Sequence, residues 1–343
     1  MNNAHKIYAQ AAALIVAPLI ALISYLQFVG AGPDYLEYYH HYAEVIKCFE
    51  CTLQSQGYLF SSLLYLFSIA DVDFVIFYYV LILILIGGKI YLTMRVLPNA
   101  WAPALLFYFS SFFILHDLIQ IRLSVAIALA FTAAYSSFFL NKKIFGAALV
   151  FLSVLVHASL ALFWLCIAIY YLMKASKRIH KIFIVCLIVF FTLLADIRSI
   201  EDLLKIAISW DYSGIGNYAY ELIEYSDVTS SYFSIYTIDA LLTATLSSWM
   251  VKHVNFGNDC AQRNLINILN YMVFVGFAIK IITIGSPVVS FRLFELFAIG
   301  LFVIKGWMIS VFAKRSISLA LTATYAFTLV NIYVFVINGP FFK

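Results

Sequence analysis

Arg122 stands inside an otherwise apolar stretch, Ile119-Gln120-Ile121-Arg122-Leu123-Ser124-Val125. A guanidinium stays charged at any accessible pH and offers a planar fork of donors that fits phosphate and carboxylate oxygens. Placing it in a transmembrane segment costs at least about 2.5–3.5 kcal/mol, so such a residue marks a functional site, with an anion as its natural partner. Arg292 has a similar setting in Ser290-Phe291-Arg292-Leu293-Phe294-Glu295, and Glu295, three residues on, shares its helical face. His157 lies in Val154-Leu155-Val156-His157-Ala158-Ser159, and Asp34, Tyr35, Glu37 and Tyr38 gather after a Gly-Pro turn. Two arginines can clamp a diphosphate, and a histidine or carboxylate nearby can take the proton of a hydroxyl nucleophile. That combination suits transfer of a sugar from a diphosphate carrier.

Blander readings of the same residues stay open. Arg122 can snorkel to headgroup phosphates, and Arg292 can simply pair with Glu295. His157 can be a satisfied interior histidine, and Asp34 and Glu37 ordinary solvated acids. Cys48 and Cys51 allow a short-range disulfide, unpaired packing cysteines or, with His40 and His41, a zinc site of unusual spacing. Phosphate-loop, Walker and zinc-protease patterns are absent, so neither a cofactor nor a metal is expected.

The elements that must hold these residues are membrane spans. The chain has 343 residues, 64% hydrophobic and 11% charged, with mean hydropathy +0.98. A soluble domain is about 45–50% apolar and about 25% charged, so this is an integral membrane protein. The net charge of +4 is spread among loops and implies no nucleic-acid partner. An all-α polytopic protein of about eleven spans is expected, read as one domain over 1–343. The segments are 7–29, 74–95, 100–116, 118–140, 144–158, 159–174, 181–196, 234–252, 265–285, 289–310 and 316–337. The run at 7–29 exceeds a signal-peptide core of about 7–15 residues and reads as an uncleaved first helix.

Lys and Arg give the orientation. With the N-terminus cytoplasmic, 14 of the 21 fall on the inner side, Lys89 and Lys305 among them, and 7 on the outer side, Lys280 among them. The strongest inner cluster is 174–181. Two sizeable outer loops result, 30–73 and 198–233, and the half-loop 57–70 is apolar but too short to span. Arg122, Arg292 and His157 then all sit near the outer ends of their helices.

The order of motifs carries a resemblance. Gly-Pro-Asp34-Tyr35-Leu-Glu37-Tyr38 follows the first span, then Gln-Gly57-Tyr58-Leu-Phe, Ile121-Arg122-Leu-Ser-Val-Ala, Leu-Val-His157-Ala-Ser159-Leu and Phe-Arg292-Leu-Phe-Glu295. This order resembles the EpsG-like branch of bacterial polysaccharide polymerases, relatives of the O-antigen polymerase Wzy, from the first helix to about residue 300. The chain differs in having Leu123 where Gln is expected after the arginine.

The resemblance implies a metal-independent glycosyltransferase of the bacterial inner membrane, working at the periplasmic face. A growing glycan on undecaprenyl diphosphate would pass to an incoming lipid-linked repeat unit, beside a flippase and a chain-length regulator. Arg122 and Arg292 would hold the diphosphate. His157, Asp34 or Glu37 would act on the acceptor hydroxyl, and Tyr35, Tyr38, Gln120 and Glu295 would contact substrate. A ligase runs the same chemistry on another acceptor, and the absence of a very large outer loop leans away from it. A flippase or other transporter would be expected to show inverted repeats and broken midplane helices, and neither is evident in the sequence.

Overall fold

The computed structural model describes residues 33–50, 52, 58–113, 116–117, 120–175, 234–254, 260–283 and 287–333. The expected spans 7–29 and 181–196, the outer loop 198–233 and the basic cluster beyond Ala175 lie outside the described residues. Those described are helical, with no strand among them. The chain forms two compact units, one of residues 1–160 with 305–343 and one of 161–304.

In the first unit, α1 (Pro33–Glu44) and α2 (Tyr58–Ile69) come from the expected outer loop. Pro33 begins α1 at the position where a missing N–H costs nothing, and Asp34 faces the positive end of the helix dipole. Tyr35, Tyr38, Tyr42 and Val45 fall on one face and are buried. Tyr35 packs edge-on against Phe74 and Tyr78, Tyr38 against Phe60, and Tyr42 stacks on Phe77 while its hydroxyl donates to the Val72 carbonyl at 2.5 Å. Cys48, just beyond α1, is disulfide-bonded, which removes the zinc and free-thiol readings for it; Cys51 lies outside the described residues.

Helix α3 (Phe74–Val96) starts at Asp73, whose side chain accepts from the Val75 N–H at 2.8 Å. Helix α4 (Trp101–Phe109) is shorter than the expected span over 100–116. The chain then passes into wide π-helical winding at Phe113, His116 and Asp117 before α5 (Ile121–Phe138). Helix α6 (Lys143–Val156) returns along α5 after Asn141, which adopts the left-handed backbone (φ 54°) that asparagine tolerates. The two approach closely because Gly146 faces Ala133 and Ser137, where a Cβ would overlap the Ser137 hydroxyl. Helices α11 (Leu301–Arg315) and α12 (Ile317–Ile332) complete the first unit from Lys305 onward.

The second unit holds α7 (Leu160–Ala175, from Ala161), α8 (Ile235–His253), α9 (Cys260–Ile282) and α10 (Pro287–Ala298). Asn270 donates to the Ser247 hydroxyl at 3.1 Å and Lys280 to the Thr237 hydroxyl at 2.6 Å, tying α9 to α8. Ser290 of α10 donates to the Lys280 carbonyl at 3.1 Å. A tight turn at 157–159 joins the expected segments 144–158 and 159–174, whereas the expected span 289–310 is divided at Ile299-Gly300. Among the described residues three helices, α3, α5 and α9, are long and apolar enough to cross a membrane, four if α10 and α11 count as one broken span. Shorter apolar helices, α2, α6, α7 and α12, accompany them.

Three lysines counted towards one side of the membrane or the other are buried inside helices: Lys89, Lys280 and Lys305. Lys305 donates to Asn331 Oδ1 at 2.9 Å and lies over the Phe327 ring, and Asn331 donates to Ser110 Oγ at 3.1 Å. Each charge found a partner on a neighbouring helix, so it no longer reports a side of the membrane. Two leave the inner side and one the outer, so the bias stays two to one.

Gly306 of α11 faces α4 with no room for a side chain. A Cβ there would stand 2.7 Å from Ala104 Cα and 2.9 Å from its nitrogen, both backbone atoms that cannot rotate away. Gly306→Ala is expected to cost about 1–3 kcal/mol and lower the melting temperature in detergent. Gly87→Ala, where a Cβ meets nothing within 4 Å, should leave it unchanged or raise it. Equal melting of Gly306→Ala and the wild type would mean that α4 and α11 do not pack this closely.

Candidate active site

Arg122 occupies the first turn of α5, and α1 covers it. The Tyr38 phenol oxygen meets the guanidinium charge and the backbone N–H of Arg122, with Asp34 and Glu37 also in electrostatic reach. Burial pushes the Tyr38 phenol well above its usual value, and the two acids add to the shift while Arg122 opposes it. Tyr38 is therefore a neutral hydroxyl beside a fixed positive charge. Four of the residues singled out by sequence are brought together here across more than eighty positions. Tyr35 sits one turn away, in the aromatic packing of α1. Glu37 is exposed and pairs with His41 one turn on, at 3.6 Å, while Asp34 is half-buried.

The segment leading into α5 carries a second group of polar residues, and sequence reasoning passed over it. Asp117 is fully buried and accepts hydrogen bonds from Lys89 of α3, Tyr108 of α4 and Ser124 of α5. Lys89 also donates to Ser124 Oγ at 2.7 Å and faces the Tyr108 ring. Both charges are out of water and both are satisfied, which is the condition under which a buried pair persists. Asp117 and Ser124 bracket Arg122 in sequence, five residues before it and two after. A signal was available: Lys89 falls well inside a 23-residue apolar helix, where a charge must find a partner.

Beside Asp117, His116 is 1% exposed and stacks face to face on Phe112, with centroids 5.7 Å apart. Its Nδ1 lies 3.1 Å from Gln120 Oε1. Gln120, a residue expected to contact substrate, caps α5 and is itself buried. His157 ends α6 in extended conformation, half-buried, with Nδ1 2.7 Å from Ser159 Oγ. The two histidines lie within electrostatic reach of each other, and His116 also of Lys89. Thus Arg122, Gln120 and His157 share the first unit with His116, Asp117 and Lys89.

Arg292 and Glu295 belong to the second unit. Arg292 is exposed on α10, while Glu295 is buried near Tyr236, feels the Arg292 charge, and leaves Oε1 without a hydrogen-bond partner. Phe291 and Phe294 pack on Tyr236 beside it. Among the described residues no cluster of His, Cys, Asp and Glu is arranged to hold a metal ion.

Apolar helices that enclose paired charges, with an arginine held at a helix start under a tyrosine, are the build of a membrane protein with polar groups inside its helices. The EpsG family model matches residues 11–343, nearly the whole chain, and the chain belongs to this family of Wzy-like polymerases. Neither a curated protein nor a solved structure matches it.

Proposed function

We propose that the protein is a polysaccharide polymerase of the bacterial inner membrane, with its site on the periplasmic face. It transfers a growing glycan from undecaprenyl diphosphate to the free end of an incoming lipid-linked repeat unit. The observation that carries this reading, together with the family, is Arg122 fixed beside a neutral Tyr38 and the acids of α1. A guanidinium in that place can bind a diphosphate and stabilise the charge that grows on it as the sugar leaves. Arg292, in the second unit, offers a guanidinium of the same chemistry, and Glu295 beside it an acceptor suited to sugar hydroxyls.

Displacement is direct, with inversion, and a side chain rather than a metal activates the acceptor, with His157, Asp34 and Glu37 as the sequence-derived choices. A flippase that delivers the units and a regulator of chain length are the expected partners.

The test is polymerisation by purified protein in proteoliposomes given undecaprenyl-diphosphate-linked repeat units. A ladder of lengthened lipid-linked glycans is expected, and it should survive excess chelator. Absence of any lengthening would remove the polymerase reading. Dependence on added Mg²⁺ would instead make Asp34 and Glu37 metal ligands.

A further inference from the structure

His116 has one ring nitrogen engaged and one with no hydrogen-bond partner. Nδ1 faces an amide oxygen, Gln120 Oε1, which can only accept, so Nδ1 carries the proton. The lone pair is then on Nε2, which is buried and has no hydrogen-bond partner among the described residues. Leaving such an atom unpaired costs about 1–3 kcal/mol, an arrangement native proteins keep where a partner is still to come. The ring sits in π-helical winding, a local geometry that recurs at functional sites. The Phe112 ring stacks on it, and the buried Asp117–Lys89 pair stands at the next residue.

The charged and titratable groups around it come from three places: Lys89 on α3, Asp117 on its own segment and His157 at the end of α6. Burial and the nearby Lys89 charge keep the imidazole neutral at rest, so the lone pair on Nε2 is available. His157 is placed differently: it is half-buried, and its Nδ1 is already engaged with Ser159.

We propose that His116, not His157, is the group that takes the proton from the acceptor hydroxyl. The inference rests on the polymerase reading given above. In the step, the acceptor oxygen bonds to the anomeric carbon of the donor glycan while the bond from that carbon to the diphosphate oxygen breaks. The bonding pair leaves on the lipid diphosphate beside Arg122, and the hydroxyl proton moves to Nε2 of His116. The imidazolium returns that proton to water after the product departs. Gln120 is the positioning residue: by accepting from Nδ1–H it selects the tautomer whose lone pair is at Nε2, as the partner of a catalytic histidine does. The acceptor hydroxyl would fill the hydrogen bond that Nε2 lacks.

His116→Asn is the discriminating variant. Its amide nitrogen can replace Nδ1 and keep the bond to Gln120, while nothing replaces Nε2. With purified protein and lipid-linked repeat units, kcat should fall about 10²–10⁴-fold with little change in KM. His116→Ala should be equally slow and should recover with added imidazole, less so with the weaker base 1,2,4-triazole. A merely structural histidine would not make rescue follow basicity.

The proposal is overturned if His116→Asn turns over within a few-fold of wild type, or if rescue of His116→Ala is absent or equal for the two heterocycles. Should the asparagine variant fail to fold, His116→Gln carries the same comparison of kcat with KM. If wild-type protein itself does not lengthen the lipid-linked unit, the polymerase reading fails and not the assignment of His116 alone.

Discussion

Arg122→Lys is expected to lower polymerase turnover by about 10²-fold or more, although it keeps the charge. Lysine offers a point charge on a flexible stem, whereas a diphosphate is held by the planar fork of a guanidinium. The loss should appear in kcat, because the charge on the leaving diphosphate is greatest in the transition state. Tyr38 sharpens the expectation. It is buried over the first turn of α5 and meets the Arg122 backbone, so the replaced side chain must emerge from the same place with no freedom to find another route. Arg122→Ala should be at least as slow, with the protein still inserted and monodisperse. Kinetics on purified lipid-linked units decide it. A lysine variant that polymerises at the wild-type rate would reduce Arg122 to an interfacial anchor.

The second large effect is on stability. Asp117→Leu leaves Lys89 charged, buried and without its counter-ion, and strips the acceptor from Tyr108 and Ser124. Breaking one side of a buried pair costs about 3–5 kcal/mol. Thermal unfolding in detergent should show a large fall in melting temperature, or the variant should not accumulate. Adding Lys89→Met to Asp117→Leu should recover much of the loss, because an apolar pair of similar volume carries no desolvation penalty. The recovered protein would still lack the ties from α3 and α4 to the segment before Arg122. It should therefore melt nearly normally and work poorly. An Asp117→Leu protein that melts like wild type would mean that the contacts of Asp117 carry no weight in holding the helices.

Uniform spans were legible in the sequence. Phe74–Val96 is apolar along its length, and its expected and observed limits differ by one residue at the end. The division of 289–310 was not legible, because hydropathy sums over a break. Ile299-Gly300 is as apolar as its flanks, and only the packing of Gly300 against Leu269 marks the place. Helix α1 was read as loop because tyrosine counts as polar, although the spacing of Tyr35, Tyr38 and Tyr42 was helical throughout.

The candidate site divides along the same line. Arg122, Tyr38, Asp34 and His157 stood out as unusual residue types in unusual settings. Lys89 did not, because a rule that sorts charges by membrane side counts a lysine towards orientation without asking what it pairs with. His116-Asp117 was missed beside the arginine it accompanies. Its meaning lies in partners on α3, α4 and α5, which no local pattern reveals.

The buried lysines also constrain how the chain enters the membrane. Lys89 emerges from the ribosome 28 residues before Asp117. When α3 first reaches the bilayer, its ammonium has no counter-ion, and that exposure costs about 2.5–3.5 kcal/mol. Lys305 precedes Asn331 by 26 residues and faces the same delay. Lys280 does not, since Thr237 was made 43 residues earlier. Helices α3 and α11 thus have reason to linger beside the insertion machinery until the following helices arrive, and α9 can leave at once. Assembly of this protein is set by the order in which charges and their partners are synthesised, not by the hydrophobicity of each helix alone.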